Sequence, residues 1–310
     1  MSDPPPYPPP PPEPPADFGP TGNYAVQHQT PRSLWLIIAA VIAVVVLLLA
    51  VAGYAIAGYA FTSIRVSDAA GAINTANDHR VFVNTTFDLL DQQVTAFNNS
   101  TDLTMAKSDA AEVVNQSQTM SSTEFGDDQA LASVRARLND QRWLTSLNRG
   151  RIDAEAGRLD HARKAVGTAR TAAGDYVQLG QFLQAYVQVL TDWDLVTSDT
   201  AKHDFVGAAS ADSSMQADTM KALLASAAPG LPLEFHDYLM ALQSYSADVG
   251  KFLNAIATQD PAALDAADKL LTADTAKLEA VDFSSTDTKI KTFYQRFRDD
   301  FNSEMDKATA

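Results

Sequence analysis

Residues 152–190 read IDAEAGRLDHARKAVGTARTAAGDYVQLGQFLQAYVQVL, and their periodicity decides the fold. Ile152, Leu159, Val166, Ala173, Gly180 and Val187 recur every seven residues, and Ala162, Ala169, Tyr176, Leu183 and Leu190 fill the matching d positions. A seven-residue apolar repeat winds down one side of an α-helix and has to bury against a neighbour. At 1.5 Å per residue the segment spans about 60 Å. Its seam narrows from large to small side chains between Ala162 and Gly180, where a second helix can approach closely. An upstream stripe of Leu131, Val134, Leu138 and Leu147 leads towards it, with Arg149-Gly150-Arg151 as a candidate break.

Spacings of three and four extend in both directions from this helix. Val83, Phe87, Leu90, Val94 and Phe97 make one stripe, and Leu103, Ala106, Ala110, Val113, Ser117 and Met120 a weaker one. Asn98-Asn99-Ser100-Thr101 between them reads as a turn and helix cap. Downstream, Phe205, Ala209, Met215, Met220, Leu223 and Leu224 run up to Pro229-Gly230-Leu231-Pro232, a stop signal with proline at the next helix start. Phe235, Leu239, Leu242, Ser246, Val249, Leu253 and Ile256 follow, ending at Asp260-Pro261, where Asp caps and Pro suits the first turn. Leu264, Leu271, Leu278 and Val281 come next; Ser284 with Asp287 resembles an acidic capping box. The final stripe is Ile290, Phe293, Phe297, Phe301 and Met305. No segment alternates like a strand. The expected fold class is all-α: one transmembrane helix, then an elongated bundle of six or seven helices with coiled-coil-like packing, preceded by a disordered Pro-rich tail. No fixed repeat period supports a tandem helix-pair array.

The transmembrane assignment rests on residues 34–61, LWLIIAAVIAVVVLLLAVAGYAIAGYAF, within a gap free of charge between Arg32 and Arg65. A bilayer core of about 30 Å needs roughly 20 apolar helical residues, and Trp35 and Tyr54 stand about 29 Å apart as interfacial aromatics. Tyr59 and Phe61 fall at or beyond the outer interface, and the excess length is absorbed by tilt. The absence of ionisable groups argues against an ion path. Gly53 with Ala57, and Ala39 with Ala43, are spaced for a homodimer contact, although alanine is abundant throughout. The chain therefore divides into a tail at 1–33, a span at 34–61 and an acidic helical domain at 62–310, with the first domain helix continuing from the span.

The 31 residues before Arg32 hold 12 of the 15 prolines and have almost nothing apolar to bury, so they form a solvated polyproline spacer. Pro4-Pro5-Pro6-Tyr7 fits a Pro-Pro-x-Tyr pattern that arises easily in such a run. The tail is more acidic than basic, which favours an uncleaved signal anchor over a signal peptide, the alternative being cleavage after Ala57. Bases flank both ends of the span, so the positive-inside rule decides nothing; an early span before a long domain favours a cytoplasmic tail and an extracytoplasmic domain.

Net charge is -15, and the region after the span holds 35 acids against 22 bases. Such a field repels nucleic acid, and no nucleic-acid partner is expected. The chain has no cysteine, which excludes disulfides, thiolate metal sites and cysteine nucleophiles. His28, His79, His161, His203 and His236 form no Glu-x-x-His or His-Glu-x-x-His array. Asp199 with His203, and His236 with Met240, share helical spacing and read as solvated or capping groups. There is no Gly-x-Ser-x-Gly elbow and no phosphate loop. Asp127-Asp128, Asp192 with Asp194, and Asp299-Asp300 read as exposed faces or caps, since adjacent helix residues do not converge. Trp143, Trp193, Tyr176 and Tyr186 could line a pocket between helices, but aromatics at helical spacing are usually core. Asn84, Asn98, Asn99 and Asn115 carry Asn-x-Ser/Thr spacing and are expected to be accessible. No catalytic, cofactor-binding or metal residue is assigned. The alanine- and aspartate-rich, lysine-poor composition with its proline-rich tail resembles envelope proteins of high-GC bacteria. The expectation is a single-pass envelope protein, anchored in the bilayer through residues 34–61, whose helical domain binds or scaffolds a protein partner. A sensor relaying through the span and an envelope enzyme with an unfamiliar site are the alternatives.

Overall fold

The computed structural model describes residues 32–99, 102–140 and 142–310, and all regular structure among them is helical. Eight α-helices follow in order: α1 Arg32–Asp78, α2 Arg80–Asn99, α3 Leu103–Asn139, α4 Arg149–Ala201, α5 Phe205–Ala225, α6 Leu233–Ala257, α7 Pro261–Glu279 and α8 Thr286–Thr309. A short 3₁₀ turn, Ser146–Asn148, precedes α4. The chain separates into two compact units, one ending at Gly53 and one running from Tyr54 to Ala310. His28 and the Pro4-Pro5-Pro6-Tyr7 motif lie outside the described residues.

In the first unit, the described part of α1 is apolar and open on every side: the side chains of residues 39–53 are all exposed. The helix to which this stretch belongs is long and apolar enough, by length and composition, to cross a membrane.

The second unit is a helical bundle built on α4. The seven-residue seam is buried as its spacing requires, with Ile152, Leu159, Ala162, Val166, Ala169, Ala173, Tyr176 and Leu183 almost fully covered. The helix is longer than the seam: 53 residues, or about 80 Å. Its small-residue zone receives α3. A Cβ on Gly180 would lie 2.7 Å from Val114 Cγ2 and 3.2 Å from the Val114 backbone nitrogen, so the two helices meet there at a distance only glycine allows. The remaining face of α4 takes α8 and α5, and α6 and α7 pack successively beyond α5.

Several boundaries depart from the sequence reading. The two stripes at 103–120 and 131–138 belong to one helix, α3, because the polar stretch between them keeps helical spacing with Glu124 and Asp127 turned inward. Leu147 is not in that stripe; it is 64% exposed in the connection to α4. Arg149-Gly150-Arg151 is the first turn of α4 instead of a break within it. The cap of α3 is Asp102, whose Oδ1 accepts from the Thr104 N–H at 2.7 Å, one residue past the expected turn. On α5 the buried face is Ala208, Ala211, Met215 and Ala222, while Met220 and Leu224 are exposed, because alanine rather than methionine fills the close contact with α4. The expected capping box before α8 is absent: Ser285 is the N-cap and makes no side-chain cap bond, while Asp282 Oδ1 accepts from the Ser284 N–H at 2.8 Å. Asp260 with Pro261 caps α7 as its sequence requires, accepting from the Ala262 and Ala263 N–H groups.

Within the second unit α1 runs antiparallel to α3. Tyr54 meets Trp143 and Ser146, Gly58 meets the Leu144 carbonyl, Arg65 reaches the Leu138 carbonyl, Asp68 faces Arg137 and His79 faces Asp127. The last residues of the apolar run thus pack on protein.

Candidate functional site

Three places in the bundle gather polar or aromatic groups. The first lies at the junction of α1 and α2. His79 Nδ1 and Asp127 Oδ2 are 2.7 Å apart, and one turn back on α3 Glu124 is 1% exposed. Its Oε1 has no hydrogen-bond partner. Burial, reinforced by the nearby Asp127 charge, pushes the Glu124 carboxyl up to about 8, so it is protonated at neutral pH.

The second place is an open groove of about 470 Å³ between α2 and α8, lined by Asp88, Asp91, Gln92, Thr95, Ala96 and Lys291. Its charges are already engaged. Arg298 donates to both Asp88 oxygens, at 2.6 and 3.2 Å, and Lys291 pairs with Asp287 at 2.8 Å. At the groove floor the Tyr176 hydroxyl donates to Asp91 Oδ1 at 2.9 Å. Burial raises the Asp91 pKa against the lowering effect of that bond, and burial likewise drives the Tyr176 hydroxyl well above its ordinary value. On the groove wall the Thr95 hydroxyl donates to the Asp91 backbone carbonyl at 2.8 Å and to Asp287 Oδ1 at 3.4 Å, so the polar groups there are already partnered within the protein.

The third is an aromatic cluster where α4 meets α6. Phe182 and Tyr186 stack at 5.8 Å, with Phe235 edge-on to both, and Tyr238 and Phe283 close its outer side. Further along α4, Trp193 stacks on Tyr245 at 4.8 Å. Rings meeting edge-to-face inside a bundle are packing.

The four aromatics singled out by sequence therefore do not share one pocket. Tyr176 is fully buried and stacks on Tyr294 at 3.6 Å; Tyr186 and Trp193 occupy the two clusters just described; Trp143, in the α3–α4 connection and 64% exposed, stacks on Tyr54. The histidines are equally dispersed. His161 Nδ1 is 2.7 Å from Glu304 Oε2, a carboxylate that also receives Lys164 and Lys307 at 2.8 Å and is held down at about 2 by those three donors, Lys164 first. His236 Nδ1 is 2.9 Å from Ser226 Oγ, and His203, at φ 61, lies past the end of α4, so it shares no helix face with Asp199. No group of three or more His, Asp or Glu side chains fit to hold a metal occurs among the described residues.

Two acid pairs differ from their sequence reading. Asp127 and Asp192 are buried, not exposed. Asp127 is drawn in by His79, and Asp128 beside it takes Arg163 and Arg170. Burial raises the Asp192 pKa, and the neighbouring Asp218 carboxylate raises it further. Sequence missed both because their inward orientation depends on helix neighbours about 50 and 25 residues away. Asp299 and Asp300 are exposed as expected. Asn84 is occupied: Arg298 and Asn302 donate to its Oδ1 and its own amide donates to Asn302. Asn115 is exposed, and the side chains of Asn98 and Asn99 lie outside the description.

Comparison of the chain with family models, with curated proteins and with solved structures finds no match in any of the three.

Proposed function

We propose that the chain is a single-pass membrane-anchored envelope protein whose acidic helical domain binds or scaffolds a partner without performing chemistry. The observation that carries this reading is the exposed apolar length of α1. A helix with Val41, Val44, Leu47, Leu48 and Leu49 all more than half exposed is unstable in water and at home in hydrocarbon. The tail is cytoplasmic and the domain extracytoplasmic, because a single early span ahead of a long domain acts as a signal anchor. Binding is favoured over catalysis because the ionisable groups among the described residues form ion pairs and small clusters such as that on Glu304, in which acids and bases neutralise one another.

A second reading has one specific support. α1 runs unbroken from Arg32 to Asp78, so a shift of the bundle could pass along it to the tail, as in a signal transducer. Removing residues 1–31 separates the two, since a transducer loses its phenotype and a scaffold does not. For the leading reading, cells expressing the protein are fractionated, extracted with alkaline carbonate and crosslinked before mass spectrometry. Retention in the membrane pellet with a recurrent crosslinked protein supports it. Release by carbonate, or a domain that crosslinks to nothing and purifies as a ligand-free monomer, overturns it.

A further inference from the structure

The connection between α3 and α4 is the part of the domain that departs most from its acidic, polar surface. From Arg135 to Asp153 the connection and the helix turns on either side hold five arginines and two aspartates, in a domain with 13 more acids than bases. Of the large apolar side chains in the connection, Trp143 and Leu147 are each 64% exposed. Neither is a stray surface residue, because the loop is held in place from below. Thr145 is buried, Trp143 stacks on Tyr54 with ring centroids 6.1 Å apart, Ser146 Oγ is 2.7 Å from the Tyr54 hydroxyl, and Gly58 lets the Leu144 carbonyl approach where a Cβ would collide with it.

Tyr54 and Gly58 belong to the apolar run of α1, and Tyr54 follows Gly53 directly in the chain. Wherever residues 39–53 enter a bilayer, the Tyr54 ring lies at its boundary, and the Trp143 ring stacked on it lies at the same depth. Ile56 and Tyr59 on α1 add exposed apolar surface there, 71% and 61% open. Tryptophan and tyrosine at headgroup level beside leucine and isoleucine form an interfacial belt. The arginines complete the pattern. Arg142 and Arg149 approach Asp153 only at 3.7 and 3.6 Å, with side chains 55% and 75% exposed, and Arg151 is exposed with no ion pair among the described residues. Guanidinium groups with spare donors beside a membrane boundary match phosphodiester headgroups, which they bind in a fork.

We propose that the α3–α4 connection is a second membrane contact, in which Trp143 and Leu147 enter the headgroup layer and Arg142, Arg149 and Arg151 bind anionic phospholipid. The contact rests on the reading of residues 34–61 as a span and holds this loop at the surface the domain's net charge would otherwise avoid. The α1–α3 pairing supplies the rigidity, since the connection cannot leave the bilayer without breaking the Tyr54 stack.

The cysteine-free chain allows a direct test on the full-length protein. Single variants Val44→Cys, Leu147→Cys and Val206→Cys are spin-labelled and reconstituted in vesicles of phosphatidylcholine with and without phosphatidylglycerol; oxygen and nickel-chelate accessibility report depth. All three positions are exposed, so labelling preserves the fold. With phosphatidylglycerol the Leu147 probe reads headgroup depth, between the deep Val44 probe and the aqueous Val206 probe. Adding R142Q/R149Q/R151Q shifts its membrane–water equilibrium towards water by roughly a hundredfold, at about fivefold per arginine. A deep Val44 probe with a Leu147 probe as aqueous as Val206 overturns the contact and leaves the span intact. A Leu147 probe at headgroup depth that ignores both phosphatidylglycerol and the arginines overturns the lipid assignment. An aqueous Val44 probe overturns the span and this contact together.

Discussion

The first half of α1 and the whole of α4 are both long, alanine-rich helices, yet they treat their apolar residues in opposite ways. On α4 polar residues such as Thr171, Gln181 and Gln184 face outward while Leu159, Val166 and Phe182 are fully buried, so one stripe is apolar and one is wet. On α1 between Ala39 and Gly53 no polar side chain interrupts the surface and nothing is buried. A helix with a stripe finds its solvent-free side in other helices; one without a stripe needs a medium that is apolar all round. The changeover occurs within α1 itself, since from Ala69 to Ala76 its residues are again buried on one face. The difference between the regions is thus arrangement, not composition.

The sharpest way to break this comparison is to remove the same side chain from each helix. Leu159→Ala should cost about 2–5 kcal/mol of unfolding free energy, because the leucine is wholly enclosed by neighbours that relax only in part. Leu47→Ala should leave the urea midpoint of the domain in detergent unchanged, since Leu47 touches no core. Equal losses would mean that the exposed half of α1 carries part of the folded core after all.

A buried acid gives the next effect. Glu124 has an ordinary carboxyl pKa when the chain is unfolded and about 8 when folded, so between those values the native state holds a proton that the unfolded state has lost. Stability therefore falls as pH rises from about 4.5 to 8, by at most about 1.4 kcal/mol per pH unit, and is level on either side. Glu124→Gln removes this titration. The difference in unfolding free energy between the parent and the variant should slide with pH across that window; a difference that stays flat would show Glu124 to be ionised in the fold. Glu304 acts in the other direction and elsewhere on the scale. Its lowered pKa adds stability that is present above about 4.5 and is lost as pH falls towards 2.

How far the sequence reveals such features depends on their range. The seam of α4, the stripe on α2 and the Asp260-Pro261 start of α7 are legible because each is set by residues within a turn or two of each other. Glu124, Asp127 and Asp192 look like surface acids in sequence, and only the partners brought by tertiary packing, or the lack of one, turn them into buried groups. Trp143 and Leu147 read as core residues for the same reason. An apolar residue in a chain of helices is normally inside, and nothing nearby in sequence says that this connection pairs with Tyr54, 89 residues earlier. The groove between α2 and α8 is likewise invisible, since its walls come from opposite ends of the domain.

Glycine sharpens the comparison at a smaller scale, because α4 contains both tight and open sites. Gly180 is pressed against Val113 and Val114, whereas a Cβ on Gly167 would meet nothing within 4 Å. Gly180→Ala should destabilise by about 1–3 kcal/mol, as the added methyl forces the α3 backbone away. Gly167→Ala should stabilise by up to about 1 kcal/mol, through helix propensity alone. Opposite signs from one chemical change, read from two denaturation curves, would locate the close approach of α3. Matching signs would remove it.

The smallest effect should come from α7, which lies between the two extremes. Only Ala267 and Asp274 of this helix are buried, so packing contributes little and its ends matter more than its middle. Asp260 accepts from the Ala262 and Ala263 N–H groups at 3.0 and 3.1 Å, satisfying donors that the helix itself cannot. Asp260→Ala should cost about 1 kcal/mol. Because α7 packs mainly on α6, the loss should appear as faster amide exchange confined to residues 261–279, with the global midpoint nearly unmoved. If exchange instead quickened throughout α4, α7 would be part of the same cooperative unit as the buried seam, and the gradation from enclosed to open helices would not extend to stability.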